Sequence, residues 1–335
     1  MLKELPCPWQ PGNQGEASFL KSSMTHLCRW EPLGKFPAAE GEELWPLCKC
    51  SECGLVRLGR IPAVHRAYPS EYYGKKEKKF LTFFEYLSHQ PPVLLKDAER
   101  LAQRLAVKDG QTPRVLDVGC GRGYLLSRLA HAGFRCAGID IPGSPIPNHA
   151  NGMDIRIGDA LNLPWPDQSF DLLVMNHVLE HVMDPWIACR EASRVLRKGG
   201  ILYLGVPNFG SFQSKLFGST WFPLEIPRHL FHFTPTTLLA VVSSVGFFAR
   251  RTSTWSLTQG TFGFIQSALN RIDPQYKNAF LDLIKGQKSA PRGRLVFHAL
   301  LACLLLPLGV LETIISSLLG RGPIIAISAA KSSAH

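Results

Sequence analysis

The stretch that most restricts how this chain can fold is Val115 to Gly123, VLDVGCGRG. Val115, Leu116 and Val118 make the short apolar run of a strand buried on both faces, and Gly119, Gly121 and Gly123 then remove the Cβ atoms that would keep a ligand off the backbone. Tyr124 to His131 continues as a helix, Gly133 ends it, Phe134 to Ile139 reads as a second buried strand, and Asp140 falls at that strand's carboxyl end. Open α/β sheets bind ligands at such ends, so the pattern predicts a nucleotide-type site. The competing interpretation is an ordinary glycine-rich corner between strand and helix.

The spacing narrows the ligand. A dinucleotide fingerprint runs G-x-G-x-x-G with a pyrophosphate at the helix N-terminus, whereas here the order is G-x-G-x-G with Asp117 two residues ahead of it. With these residues the chain resembles the class I S-adenosylmethionine-dependent methyltransferases, whose first motif has the form hh-D-h-G-C-G-x-G and whose next strand ends on an acidic residue. That resemblance implies an α/β, Rossmann-like sheet of seven strands with helices on both faces and S-adenosylmethionine as cofactor. It implies that Asp117 and the turn of Gly119, Cys120, Gly121 and Gly123 hold the methionine end, that Asp140 takes the two ribose hydroxyls, and that Asp159, beside Ala160, contacts the adenine amino group. Asn176, closing the fourth strand, completes the cofactor set. Two other readings stay open: an NAD-dependent Rossmann oxidoreductase, disfavoured by the glycine spacing, and a non-catalytic binding module that keeps the fold.

Charge and cysteine usage bound the partners. The net charge of +11 suits nucleic acid, anionic lipid or an acidic substrate, but the cations are spread along the chain apart from Lys75 to Lys79 and Lys285 to Arg294. No basic and aromatic interleaving of an RNA-binding module is present, which weighs against nucleic acid. Nine cysteines at scattered spacing, with no apolar leader before a small-residue cleavage site, point to a reducing, cytoplasmic setting.

Residues 1–25, rich in proline and glycine, read as a flexible leader. Residues 26–62 carry LCKCSECGLVRLG, in which Cys50 and Cys53 have the C-x-x-C spacing of one zinc-ribbon knuckle. Many bacterial methyltransferases of this type have a ribbon here, ending C-x-x-C-G-L-V before a tyrosine-rich segment such as Tyr68, Tyr72 and Tyr73. Upstream, where those proteins have a second knuckle, this chain has only Cys28, with His26 or Cys48 beside it. Zinc on Cys50, Cys53 and Cys28 competes with a decayed ribbon held by apolar packing. Residues 63–110 read as a helical linker or lid, with helices at Phe80 to Ser88 and Asp97 to Val107, and 111–335 as the methyltransferase domain.

Within that domain Asp154 to Ala160 reads as the third strand, Phe170 to Asn176 as the fourth, a helix from Pro185 to Lys198 follows the N-cap Asp184, and Ile201 to Val206 is the fifth. The prolines and glycines of IPGSPIPNHANG, after Asp140, oppose the second helix usual in the family. After Pro207 comes a long aromatic loop of the kind that shapes substrate pockets, holding His229 and His232 in PRHLFHFT. If the methylated atom is a hydroxyl oxygen, its proton must leave, and a histidine is the natural base. His181, His229 and His232 are the candidates, each with an ordinary structural role as the alternative. The expected acceptor is a small molecule, a lipid-linked compound or a glycan, as for the ubiquinone-biosynthesis O-methyltransferases within this broad group.

The last two strands, Phe247 to Trp255 and Pro323 to Lys331, are separated by an insertion, 257–322, with an apolar stretch at Leu295 to Leu319. Pro307 and Gly309 split that stretch into two arms too short to cross a bilayer, and Glu312 charges the second, which predicts a helical hairpin. With the basic residues of its approach, 285–319 is expected to rest on the inner face of a membrane, or to be a buried cap or homodimer interface.

Overall fold

The computed structural model describes residues 30–38, 43–60, 62, 100, 103–104, 112–131, 133–144, 153–284 and 290–332. The expected leader, Cys28, the tyrosine-rich segment, the helix at Phe80 to Ser88, most of that at Asp97 to Val107, and Lys285 and Lys288 lie outside them.

Eleven strands are described. They are β1 (Trp30–Pro37), β2 (Leu44–Cys50), β3 (Val56–Leu58), β4 (Arg114–Val118), β5 (Arg135–Asp140), β6 (Asp154–Ile157), β7 (Phe170–Asn176), β8 (Leu196–Pro207), β9 (Phe231–His232), β10 (Phe247–Ser253) and β11 (Ile324–Lys331). Among the described residues the helices of eight residues or more with given bounds are α1 (Tyr124–His131), α2 (Pro185–Val195), α4 (Pro235–Ser244), α5 (Leu257–Ile272) and α7 (Arg292–Leu318), with the shorter α3 (Phe212–Phe217) and α6 (Ala279–Ile284) between them.

The large sheet has the order β10-β11-β8-β7-β4-β5-β6. Its strands are parallel from β8 through β6, and β11 inserts antiparallel between β8 and β10. Chain order reverses between β4 and β7, so the crevice outside the carboxyl ends of those two strands is the ligand-binding switch point of this topology. Val115, Leu116, Leu172, Leu173, Val174 and Met175 have essentially no exposure, as expected of central strands covered on both faces. The expected seven-stranded α/β sheet is present.

Local signals explain most boundaries. Asp184 caps α2 by accepting from the N–H groups of Trp186 and Ile187, both at 2.9 Å, with Pro185 in the first turn. Thr234 and Thr237 form a reciprocal capping box at α4. β6 and β8 differ most from expectation, and β10 ends at Ser253, two residues short of Trp255. β6 stops at Ile157 because Asp159 turns the chain, its carboxylate accepting from the N–H of Leu161. β8 begins at Leu196, whereas the sequence predicts helix to Lys198, because Leu196 pairs with Phe170; the strand then passes an irregularity in register, with Gly199 at φ +75°, before Ile201 pairs with Leu172.

The second sheet has the order β1-β2-β3-β9. Its first three strands are the ribbon-like segment, and the Cys50 to Gly54 knuckle forms the turn between β2 and β3. The fourth, β9, comes from the PRHLFHFT loop and pairs Phe231 and His232 with Arg57 and Val56. That pairing fastens the small sheet to the crevice side of the large one.

The insertion corrects one expectation. Pro307 and Gly309 do not divide it: α7 is one helix of 27 residues, about 40 Å long at the helical rise. A proline inside a helix costs about 3 kcal/mol, and here packing of α7 along α5 offsets it. A Cβ on Gly260 would come within 2.4 Å of Thr313, and one on Gly309 within 3.3 Å of the Thr261 carbonyl, so the two helices approach closely across small residues. The hairpin of this insertion is therefore α5 against α7, running in opposite directions.

Candidate active site

The end of β4 is a turn built from backbone. Gly119 (φ +75°) donates its N–H to the Ile139 carbonyl at 2.8 Å, which locks the turn onto β5, and a Cβ there would lie 2.4 Å from a methyl of Val178. Gly121 (φ +48°) is different, for a Cβ there would meet nothing within 4 Å. One glycine is needed by the fold, and the other leaves open space over the turn. Gly123 ends the turn, its N–H on the Cys120 carbonyl, and α1 follows.

Two acidic side chains frame that space. Asp140, at the end of β5, accepts from the N–H of Gly121 at 2.6 Å, from the N–H of Ile141 at 2.7 Å and from the hydroxyl of Ser144. A carboxylate has about four lone-pair sites, so acceptor capacity remains for a ligand hydroxyl. Asp117 is buried at the end of β4, and burial, reinforced by the Asp140 charge, pushes its carboxyl up to about 8. Such a group is short of a cation. The Cys120 thiol beside them is raised by burial and by both carboxylates, which removes it as a nucleophile. Asp159 is exposed on its turn and Ala160 is buried behind it.

Across the switch point, β7 ends at Asn176, and Gly205 of β8 makes room for it, since a Cβ there would lie 2.2 Å from the Asn176 amide oxygen. His177 follows at φ +55°. A chain of hydrogen bonds runs through it: the Ser256 hydroxyl donates to the Gln259 carbonyl oxygen at 3.0 Å, the Gln259 amide meets His177 Nε2 at 2.8 Å, and His177 Nδ1 meets Glu180 Oε1 at 3.2 Å. Burial opposes a charge on His177, yet Glu180 prevails and the imidazole pKa is raised. Burial likewise opposes the Glu180 carboxylate, but the hydrogen bond from His177 and the neighbouring imidazoles hold its pKa down. Its other oxygen, Oε2, is buried with no hydrogen-bond partner.

The three candidate histidines converge. The rings of His181 and His229 are edge to face at 4.6 Å, and those of His229 and His232 lie 6.4 Å apart. Their surroundings differ. His181 holds Nδ1 against the Arg228 carbonyl at 3.1 Å, which sets Nε2 as its basic nitrogen, and burial followed by the His229 charge lowers its pKa to about 4. His229 has both ring nitrogens engaged, Nδ1 with the Pro223 carbonyl at 2.8 Å and Nε2 with Glu225 at 3.3 Å. His232 is buried beside Phe209, its Nε2 has no hydrogen-bond partner, and burial lowers its pKa to about 3. Glu225, at φ +36°, is half-buried, and Arg228, His229 and His181 overcome its desolvation to keep it ionised.

Ligand atoms of Glu180, His181 and His229 lie within 4.8 Å of one another, close enough to share a divalent cation. At the ribbon, the N–H of Cys53 points at Cys50 Sγ at 3.5 Å, while Cys50 is fully buried; among the described residues no further group completes a cluster with them. Sequence patterns singled out neither Glu225 nor Gln259 as part of the site. Glu225 carried one faint signal, an acid between two prolines in FPLEIPRH.

Residues 116–204, from β4 into β8, match the family described as methyltransferase domain. A probable S-adenosylmethionine-dependent methyltransferase of Mycolicibacterium smegmatis is 37% identical over 119 residues, 34% of this chain and 44% of the relative. The ubiquinone biosynthesis O-methyltransferase of Azorhizobium caulinodans is 31% identical over 147 residues, 40% of this chain and 58% of the relative. Among solved structures, a putative sarcosine dimethylglycine methyltransferase from Galdieria sulphuraria aligns over 76% of this chain and 99% of its own at 16% identity, with a TM-score of 0.47. The chain thus spans under two thirds of the length of these curated relatives. Residues 116–204, which hold most of the glycine turn, Asp140, Asp159 and Asn176, thus match a methyltransferase domain.

Proposed function

We propose that the protein transfers a methyl group from S-adenosylmethionine to an oxygen of a small-molecule, lipid-linked or glycan acceptor. The observation that carries this reading is the pairing, across one switch point, of a cation-seeking cradle on β4 and β5 with a histidine cluster in which half-buried His181, after β7, meets buried His229 and His232. The cradle fits the donor: a buried carboxyl that needs a positive partner, a strand-end acid with acceptor capacity, and open space over Gly121. Asp117 with Gly119, Cys120, Gly121 and Gly123 would hold the methionine end, Asp140 the ribose, Asp159 and Ala160 the adenine, with Asn176 closing the β7 side. When bound, the donor supplies an activated methyl on a sulfonium.

The protein's contribution is alignment and removal of the acceptor's proton. Of the three histidines, His181 is the best base, because its tautomer is set by Arg228 and burial keeps it neutral at physiological pH. His229 orients it through ring contact and is itself held by Glu225 and Pro223. His232 shapes the floor. Oxygen as the accepting atom draws on this base and on the name of the Azorhizobium relative. Zinc at Cys50 and Cys53 needs further ligands, for which the sequence offers Cys28, with His26 or Cys48.

Calorimetry with S-adenosylmethionine and NAD, followed by release of S-adenosylhomocysteine with a catechol and a prenylated phenol, tests the reading. His181→Ala should keep donor affinity and lose about 10² to 10⁴ in turnover. At saturating donor the wild-type rate should hold from pH 8 down to about 5 and fall only as His181 protonates near 4. Donor binding without turnover on any acceptor would instead favour the non-catalytic module.

A further inference from the structure

Of the nineteen exposed large apolar side chains among the described residues, ten lie between Val296 and Leu319. On α7 they follow a helical stripe, with Phe297, Leu300, Leu304, Leu311, Ile315 and Leu318 all at least 40% exposed. The face turned to α5 has the opposite character: His298, Ala302, Gly309, Thr313 and Ser316 are buried. Helices of water-soluble proteins place large apolar residues inward and polar ones outward, and α7 reverses this. Its one acidic residue does not interrupt the stripe. Glu312 turns towards the body, where its carboxylate accepts from the Gln213 amide at 2.5 Å.

We infer that the outer face of α7 is a docking surface for an anionic lipid bilayer, on which the helix lies in the plane of the headgroups. Length alone would permit a crossing. Both ends of α7, however, are held to the folded body. At its N-terminal end His298 Nε2 meets Asp273 at 3.0 Å, and Lys277, in the turn after α5, donates to the Ala38 carbonyl of the small sheet at 3.2 Å. At its C-terminal end Ser317 donates to the Thr254 carbonyl at 3.3 Å, and Asn208 donates to the Gly322 carbonyl at 2.7 Å. A helix tied at both ends to one body cannot thread a bilayer, but it can lay its free side into the interface.

Charge selects the bilayer as the occupant. Arg292 is exposed at the start of α7 and Arg321 just past its end, while Arg294 pairs with Asp273 at 3.5 Å, so an exposed arginine stands at each end of the leucine stripe where headgroup phosphates would meet it. A second copy of the chain would have to bring those same arginines together. The bilayer would also lie near the chemistry, since α5, the other arm of the hairpin, sends Gln259 to His177 at 2.8 Å. That geometry suits an acceptor carried by a lipid.

Vesicle flotation of the full chain, without donor or acceptor, tests this apart from any methyl transfer. Wild-type protein should float with phosphatidylcholine vesicles containing phosphatidylglycerol, much less with phosphatidylcholine alone, and less as salt rises. Leu304→Glu with Leu311→Glu, both at exposed positions, should lower partitioning by at least about tenfold while thermal unfolding is retained. Arg292→Glu should reduce the preference for anionic vesicles even if the double variant does not fold. Absence of flotation, unchanged flotation in these variants, or a wild-type dimer that the double variant converts to monomer without any lipid binding would overturn the inference.

Discussion

At the end of β4 the surface facing the ligand is backbone, drawn from nine consecutive residues and locked by hydrogen bonds to the neighbouring strand. At the end of β7 it is side chain, and the groups come from four places: His177 to His181, Glu225 to His232, Gln259 and the small sheet that grips β9. The first half depends on which residues lack a Cβ. The second depends on how separate segments are held against one another. A backbone cradle should therefore fail abruptly on substitution, and a side-chain cluster by degrees.

The largest effect tests the cradle against itself. Gly119→Val meets a methyl of Val178 at 2.4 Å and needs a positive φ, so it should destabilise the protein by ~3 kcal/mol or more, read as a lowered urea midpoint. Gly121→Val also needs a positive φ, but its Cβ points into open space, so the variant should fold with a loss of ~1–2 kcal/mol and no donor binding by calorimetry. If Gly121→Val bound the donor normally, the space over the turn would not be the donor site.

Next comes the strand-end acid. Asp140→Ala removes the acceptor for two backbone N–H groups and a hydroxyl, and should weaken donor binding by on the order of 2–4 kcal/mol. Asp159→Ala, an exposed turn residue, should change it far less.

Asp117 adds a pH dependence. Its carboxyl, at about 8 in the folded protein against about 3.9 unfolded, binds a proton in the native state between those values that the unfolded chain has lost. The stability of donor-free protein should therefore fall as pH rises from 4 to 8 and then level. Donor affinity should move the other way, strengthening by up to about tenfold per pH unit until 8, because the amino group of methionine favours the ionised carboxylate. Asp117→Asn should abolish both trends; thermal melts and calorimetry at pH 6, 7 and 8 will tell.

The same division explains what could be read from the sequence. Strands β4, β5 and β7 announced themselves as apolar runs, and the glycines and Asp140 stand at short fixed offsets from them, so fold and candidate donor residues were visible together. β9 has two residues, and only pairing with Val56 makes it a strand. Gln259 is 82 residues from His177, and no local pattern records that contact. Pro307 was a local signal that tertiary packing overrode, because α5 supports the helix on both sides of it. Local chemistry is legible; contacts between distant segments are not.

The smallest effect probes the join between insertion and site. In the chain from Ser256 through Gln259 to His177 and Glu180, Gln259 is the one member supplied by the hairpin. Gln259→Leu keeps nearly the same volume but cannot bond the imidazole, so it should cost about 1 kcal/mol in stability. If the chain only braces the hairpin, turnover will be unaffected. If it fixes the ring that holds Glu180 beside His181, kcat should drop about three- to tenfold with donor affinity and KM unchanged, and Gln259→Glu, which keeps an oxygen for Ser256 but loses the N–H aimed at His177, should be no better. Equal kcat in wild type and both variants would confine the hairpin's role to the surface on which α7 lies.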